Sequence, residues 1–173
     1  MSYIYDMELE DAKNKYIQTW GSLATSWGIN KTMAQVHALL LVATKPMSAE
    51  DIMESLQISR GNVNMNVRAL IDWGIVQKEF VVGERKEFFV AVKDIWELFK
   101  QIVKERKKRE IEPVIKVLKE LQEVNEDSED GKEFKKVVTD LSKVTSTVNN
   151  ILDKAIKADE HWFLSNFTKM VKK

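Results

Sequence analysis

The stretch SAEDIMESLQISRGNVNMNVRALIDWG, residues 48–74, decides the fold, because it contains start and stop signals for two short helices. Ser48 followed three residues later by Asp51 is typical of a helix N-terminus, where each side chain bonds to the other residue's backbone. Ser59 is placed to cap a second helix, and Gly74 is suited to the left-handed conformation that ends one. The sequence therefore predicts two helices joined by a turn of a few residues.

The second helix carries asparagine at positions 62, 64 and 66, although asparagine is a mediocre helix former because its amide competes for nearby backbone groups. At about 100° per residue, the apolar side of this helix consists of Val63, Val67, Leu70, Ile71 and Gly74. The opposite side presents Gly61, Met65 and Arg68, with Asn62 and Asn64 at its two edges. Asn66 is closer to the apolar side, and we predict that it bonds to the protein.

The residues on the exposed side are of the types that read base pairs in the major groove of DNA. Asparagine can pair bidentately with adenine and arginine with guanine, and methionine can contact a thymine methyl group. Gly61 has no side chain, so the start of the helix can approach phosphates, which its free N–H groups favour. The pattern is compatible with a DNA-recognition helix and equally with a polar face that is merely solvated.

Residues 75–92 predict a β-hairpin, because β-branched and aromatic residues lie on both sides of a turn at Gly83, Glu84 and Arg85. Arg85 and Lys86 would lie at the tip, where they could meet a phosphate backbone or a minor groove. The alternative for these two cations is ordinary protection of a strand edge by charge. The order helix, helix, short helix, helix, hairpin is that of a winged helix-turn-helix.

The remainder of the chain is predicted to be helical. A helix over residues 7–27 carries a stripe rich in aromatic residues: Leu9, Ala12, Tyr16, Trp20, Leu23 and Trp27. A strongly apolar helix follows over residues 31–44. After the hairpin, an amphipathic helix continues until Pro113 breaks or kinks it, and residues 125–133 are predicted to be an acidic loop.

A heptad seam follows the acidic loop. Apolar residues alternate spacings of three and four over three heptads, at Phe134, Val137, Leu141, Val144, Val148, Ile151 and Ala155. Such a seam requires another helix. The fold class is thus mainly α with a small β-hairpin wing. We divide the chain into an N-terminal helix (1–30), a winged helix-turn-helix domain (31–93) and a C-terminal helical region (94–173).

Composition and charge restrict the function. The 27 basic and 27 acidic residues cancel, so DNA binding must depend on a few well-placed cations rather than on a bulk field. Cysteine is absent and the two histidines, His37 and His161, lie in distant helices, which argues against a metal site. We expect His37 to be a core residue. No phosphate-binding glycine motif or nucleophile–base pair is present, so neither an enzyme nor a cofactor is predicted.

The apolar runs also bear on location. None approaches the roughly 20 residues that a membrane span requires, so no membrane partner is predicted. The N-terminal segment is acidic and has no apolar core, unlike a signal peptide. We therefore expect a cytoplasmic protein.

The motifs in residues 59–113 resemble those of the GbsR branch of the MarR superfamily of transcriptional regulators. They are the Ser-Arg-Gly-Asn helix at 59–70, the Asp-Trp-Gly that follows it, the Gly-x-Arg-Lys wing at 83–86 and the Glu-Ile-Glu-Pro run at 110–113. The resemblance covers roughly residues 7–121. It implies a winged helix-turn-helix regulator that binds double-stranded DNA, with N-terminal and C-terminal helices that form a homodimer on a palindromic site.

The resemblance also implies which residues contact DNA. Matching the motifs assigns the recognition-helix contacts to Ser59, Arg60, Asn62, Asn64 and Arg68 and the wing contact to Arg85. Lys86 follows by its position, and Met65 joins the set from its place on the exposed side of the helix. A repressor is the expected type of regulator. The alternative is a winged-helix module that binds another protein in a larger assembly and does not bind DNA.

Some members of this family respond to choline, a quaternary ammonium compound. An aromatic cage suits such a cation through cation–π attraction, and Trp20, Trp27 and Trp96 are the candidates for it. Aromatic residues at helical spacing more often belong to a core or to a dimer interface, so the alternative for these three residues is structural.

Overall fold

The computed structural model describes residues 7–124 and 126–159. The chain forms two units, one that ends at Ile95 and one that starts at Trp96. The first unit contains four helices and three strands: α1 Leu9–Ser26, α2 Lys31–Val42, β1 Met47–Ser48, α3 Ala49–Leu56, α4 Arg60–Asp72, β2 Val76–Glu79 and β3 Phe88–Ala91. This order confirms the predicted fold class, mainly helical with a β-hairpin wing.

The predicted helix ends are formed by the residues that the sequence indicated. Ser48 and Asp51 make the reciprocal capping box at the start of α3, and the Ser59 hydroxyl accepts a hydrogen bond from the Asn62 backbone N–H at 3.3 Å. Gly74 has a φ of 70°, and the backbone N–H groups of Gly74 and Ile75 donate to the carbonyls of Ile71 and Leu70. This paired bonding ends α4 in the manner of a Schellman motif.

The core of the first unit lies where α2, α3 and α4 meet. Its largest fully buried side chains are Leu40, Ile52, Leu70, Val36 and Val63. Helix α1 packs on α2 through a different face from the aromatic stripe, with Ile17, Gly21 and Ala24 buried. The stripe is therefore left half-buried or exposed, with Leu9 and Trp27 most open.

The sheet has a third strand that the sequence did not predict. Strand β1 pairs antiparallel with β3, placing Met47 opposite Phe89 and Ser48 opposite Phe88. A strand of two residues directly after Pro46 has no periodicity to detect. It forms because β3 offers it a free edge, which is a tertiary effect.

The second unit contains α5 (Ile95–Arg106) from its second residue onward, a π-helical segment Lys107–Ile111, α6 Glu112–Leu121 and α7 Glu129–Lys157. The expected break at Pro113 takes the form of the π-helical segment, and Pro113 lies in the first turn of α6. Proline cannot donate to the carbonyl four residues earlier and crowds it, and a wider helical turn accommodates this. The prediction of a loop up to residue 133 was wrong, because Ser128 caps α7 by accepting from the Gly131 N–H at 3.0 Å.

The heptad seam lies on α7, which packs against α6, and Leu118 of α6 and Val138 of α7 are buried. Six of its seven residues are exposed, at fractions between 37% for Val148 and 63% for Val144, and Ala155 is buried. Within the described residues, the seam is therefore not covered by the chain itself.

Lys93, which follows strand β3, connects the wing to the C-terminal end of α2 through hydrogen bonds. Its Nζ donates to the carbonyl oxygens of Leu40, Leu41 and Ala43 at 2.8, 2.7 and 2.7 Å. These carbonyls have no partner within the helix at its C-terminus, where a cation is also favoured by the helix dipole.

We expect Lys93→Met to lower the free energy of unfolding by about 1–2 kcal/mol, because it leaves these carbonyls without their donor and removes the cation from the helix end. Urea denaturation monitored by circular dichroism measures the change. Lys45→Met, at an exposed lysine near the same helix end, is the control and should have little effect. Equal stability of the two variants would contradict this role.

Candidate nucleic-acid interface

Helix α4 exposes the side that the sequence analysis assigned to DNA. Gly61, Asn64, Met65 and Arg68 are exposed and Asn62 is half-buried. Met65 is 61% exposed, which excludes it from the core of the first unit. The positions predicted by helical rotation are thus confirmed, while contact with DNA remains a prediction.

Asn66 differs from the other two asparagines. It is only 4% exposed, and its Nδ2 donates to the carbonyl oxygen of Asn62 at 2.8 Å. The prediction that this side chain bonds to the protein is confirmed. Two of the three asparagine side chains are therefore available to a ligand, and the third is hydrogen-bonded to the helix backbone.

We expect Asn66→Asp to lower the free energy of unfolding by about 1.5 kcal/mol at neutral pH, because a buried carboxylate would face the Asn62 carbonyl with no hydrogen to donate. Asn64→Asp is the matched control on the exposed side, and it should change stability by less than about 0.5 kcal/mol. Chemical denaturation of both variants provides the measurement. A similar loss in both would show that burial does not distinguish the two positions.

The wing is built on strands β2 and β3, which pair antiparallel with Val76 opposite Ala91. Residues 80–87 connect the strands, and Gly83 has a φ of 88° in a turn closed by the Glu84 N–H and the Val81 carbonyl. Arg85 and Lys86 are exposed in this connection.

Two further features define the wing. An ion pair between Lys78 and Glu87 joins its two sides where the ladder meets the connection, on a diagonal between the strands. Phe80 and Val82 are fully exposed, so apolar surface adjoins the two cations. The predicted basic wing is thus formed, with a shorter ladder and a longer connection than the sequence indicated.

A cleft lies between helices α3 and α4 and the wing. Its lining residues are Ala49, Glu50, Arg60, Asn64, Lys86, Glu87 and Phe89. It brings together three of the predicted contacts, Arg60, Asn64 and Lys86. Arg68 and Arg85 do not line it.

Glu50 is the residue in this cleft that sequence reasoning missed. It forms an ion pair with Arg60, across the turn between α3 and α4. The pKa of Glu50 is lowered by a hydrogen bond to its own backbone and, further, by the charges of Arg60 and Lys86. An acidic residue in the first turn of a helix is ordinary, so nothing in the sequence pattern indicated a pairing with the next helix.

The three tryptophans predicted to form an aromatic cage lie in both units. Trp20 contacts Tyr16, with ring centroids 5.9 Å apart, and Trp27 is 53% exposed two turns further along. In the second unit, Trp96 is stacked on Phe99 at 5.1 Å, and its Nε1 donates to the Ala158 carbonyl at 3.2 Å. Each ring has a structural environment of its own, and binding of a cation by these residues remains a prediction.

His37 lies in the core as expected, only 3% exposed, whereas His161 lies outside the described residues. Over residues 7–124 and 126–159, no group of histidine and acidic side chains has an arrangement that could hold a metal ion. No helix in that same part of the chain is long and apolar enough to cross a bilayer.

Comparison with known proteins bears directly on the unit that contains this cleft. Residues 27–87 match the model of the MarR family. The chain is similar to the HTH-type transcriptional repressor GbsR of Bacillus subtilis (strain 168), with 26% identity over 104 residues, 60% of this chain and 57% of that protein. It is also similar to the HTH-type transcriptional repressor OpcR of the same organism, with 25% identity over 91 residues, 53% of this chain and 49% of that protein.

A solved structure has a similar fold. It is described as the crystal structure of a transcriptional regulator, and it superposes on this chain with a TM-score of 0.65 at 16% sequence identity. The superposition covers 84% of this chain and 96% of the solved one. The similarity to this structure concerns the fold alone. The chain spans about half the length of the curated relatives that it matches.

Proposed function

We propose that the chain, whose residues 27–87 match the model of the MarR family, is a sequence-specific, DNA-binding transcriptional regulator. In this proposal it is a repressor that acts in the cytoplasm as a homodimer on a palindromic operator. The DNA contacts are Ser59, Arg60, Asn62, Asn64, Met65, Arg68, Arg85 and Lys86.

The observation that carries the proposal is the composition of the exposed side of α4. Asn64, Met65 and Arg68 are exposed together, and these are residue types that bond to adenine, contact thymine methyl groups and bond to guanine. Lys86 of the wing lies at the other side of the cleft that Arg60 and Asn64 line. Base-reading side chains beside phosphate-binding ones are what sequence-specific recognition requires.

The homodimer is supported by the exposed heptad seam. Phe134, Leu141 and Ile151 are 41%, 50% and 59% exposed on one long helix, and single-chain proteins seldom leave such a continuous apolar surface uncovered. Pairing of the seam with its copy would give the two recognition helices twofold symmetry. A palindromic site matches that symmetry.

The experiment that tests the proposal is selection of bound sequences from random duplex DNA with the purified chain. The expected result is an inverted repeat, whose two half-sites are centred about 10 base pairs or a multiple apart. Affinity for the selected site should fall steeply with salt, with a slope of about −0.9 for each phosphate neutralised. Recovery of no common sequence, or an affinity independent of salt, would contradict the proposal.

The same selection tests a ligand response when it is repeated with choline. Loss of the selected sequence in the presence of choline would support a quaternary ammonium effector, whose proposed site is Trp20, Trp27 and Trp96. An unchanged selection would contradict the proposed effector without affecting the proposed DNA recognition.

A second candidate function is a winged-helix module that binds another protein. The zero net charge and the exposed seam favour it. If the chain forms no complex with duplex DNA at low salt, where phosphate contacts are strongest, this candidate replaces the first.

A further inference from the structure

Glu50 occupies a position at which an acidic side chain opposes the proposed function. It lies in the same cleft as Arg60, Asn64 and Lys86, three of the residues proposed to meet DNA. Its side chain is 42% exposed and that of its partner Arg60 is 63% exposed, so both are accessible to a ligand that enters the cleft. DNA that approaches these cations therefore meets a carboxylate among them.

The ion pair changes what Arg60 can offer to DNA. A guanidinium carries five N–H donors in a planar fork, so Arg60 can keep its bond to Glu50 and still donate from its remaining edge to a guanine. A phosphate, by contrast, is attracted to the net charge, which Glu50 cancels at this position. Sequence-independent binding, which depends on phosphate charge, is weakened more than base reading.

From this geometry we infer that Glu50 is a specificity-determining residue that restrains binding to non-cognate DNA by neutralising Arg60. The inference rests on the proposed function. It gives α3, which carries Glu50, a role in recognition in addition to the contacts proposed for α4 and the wing.

The charge of Lys86 acts on Glu50 from the wing. It contributes with Arg60 to the lowered pKa of Glu50, so the carboxylate remains ionised at neutral pH. The same carboxylate thus faces one cation from the recognition helix and one from the wing. Glu87 also lines the cleft, but its partner is Lys78 of strand β2. Glu50 is therefore the acid that is paired with a proposed DNA contact.

Glu50→Gln is the test, since it keeps the size of the side chain and removes its charge. The expected result is an affinity for random duplex DNA about threefold to fivefold higher for each subunit that binds, the effect of one exposed ion pair. The salt dependence should be steeper by about one phosphate for each subunit that binds. Affinity for the selected site should rise less, so that the ratio of specific to random binding falls.

Glu54→Gln is the matched control, because it changes the net charge equally and lies one turn further along the exposed side of α3. It should leave the specificity ratio unchanged. The Arg60→Ala variant should abolish most of the effect of Glu50→Gln if the carboxylate acts through the guanidinium. Circular dichroism of each variant checks that the fold is retained.

The outcomes separate this inference from the proposed function. Equal effects of Glu50→Gln and Glu54→Gln would show a bulk charge effect and overturn the inference alone. A Glu50→Gln variant that binds both DNAs more weakly would overturn it as well, because the carboxylate would then assist binding. Failure of the wild-type chain to bind any duplex would overturn the proposed function and this inference together.

Discussion

The free energy of unfolding of the wild-type chain is expected to fall by about 3 kcal/mol between pH 6.5 and pH 4 through His37 alone. Burial, and to a lesser extent the charge of Lys93, lower the pKa of His37 from 6.5 to about 4. The unfolded chain therefore binds more protons than the folded chain in this range. Acid favours the state that binds more protons, so stability is complete above pH 6.5 and is lost as the pH falls.

The physical reason is the placement of His37 on the buried side of α2. Its ring is 3% exposed and its Nε2 has no hydrogen-bond partner among the described residues. A proton added there would create a buried cation close to the ammonium of Lys93. The neutral ring avoids this charge, so the folded chain keeps His37 unprotonated at neutral pH.

Chemical denaturation at pH 8 and pH 5 measures the effect, with about 2 kcal/mol of the loss already present at pH 5. His37→Leu should remove this part of the difference between the two pH values. His161→Gln leaves His37 in place and should retain it. If His37→Leu and the wild-type chain lose the same stability on acidification, carboxylates and not His37 govern the acid response.

The sequence predicted the helix ends well because capping is local chemistry. Ser48, Asp51, Ser59 and Gly74 bond within a few residues of themselves, so their pattern in the chain contains the information. The side of α4 that faces outward was equally predictable, because helical rotation fixes it once the apolar side is known. Strand β1 was missed since its partner lies about 40 residues later.

The cleft illustrates where sequence reasoning stops. Glu50 and Arg60 are ten residues apart, and each has an ordinary explanation within its own helix. They meet because Gln57, with a left-handed φ of 52°, turns the chain between α3 and α4. No spacing rule connects a charge on one helix to a charge on the next, so the pairing could be found only from the folded arrangement.

At the selected DNA site, Asn64→Ala and Arg68→Ala are each expected to cost on the order of 1–3 kcal/mol of binding free energy. Both side chains are exposed on α4, and each would leave a base edge without its bidentate partner. Binding to random DNA should change far less for Asn64→Ala, because an amide contributes no charge to phosphate attraction. Titrations of each variant against the selected and a scrambled duplex give the comparison.

Arg85→Ala is the control that distinguishes base recognition from electrostatic attraction to the phosphates. Arg85 lies in the exposed connection of the wing, so its loss should weaken binding to all sequences. It should also reduce the salt slope by about one for each subunit that binds. Arg68→Ala should combine both behaviours, because a guanidinium that reads guanine also carries charge. If all three variants bind both duplexes like the wild type, α4 and the wing are not the DNA-binding surface. DNA contact would then no longer explain why α4 carries exposed asparagines, which are poor helix formers.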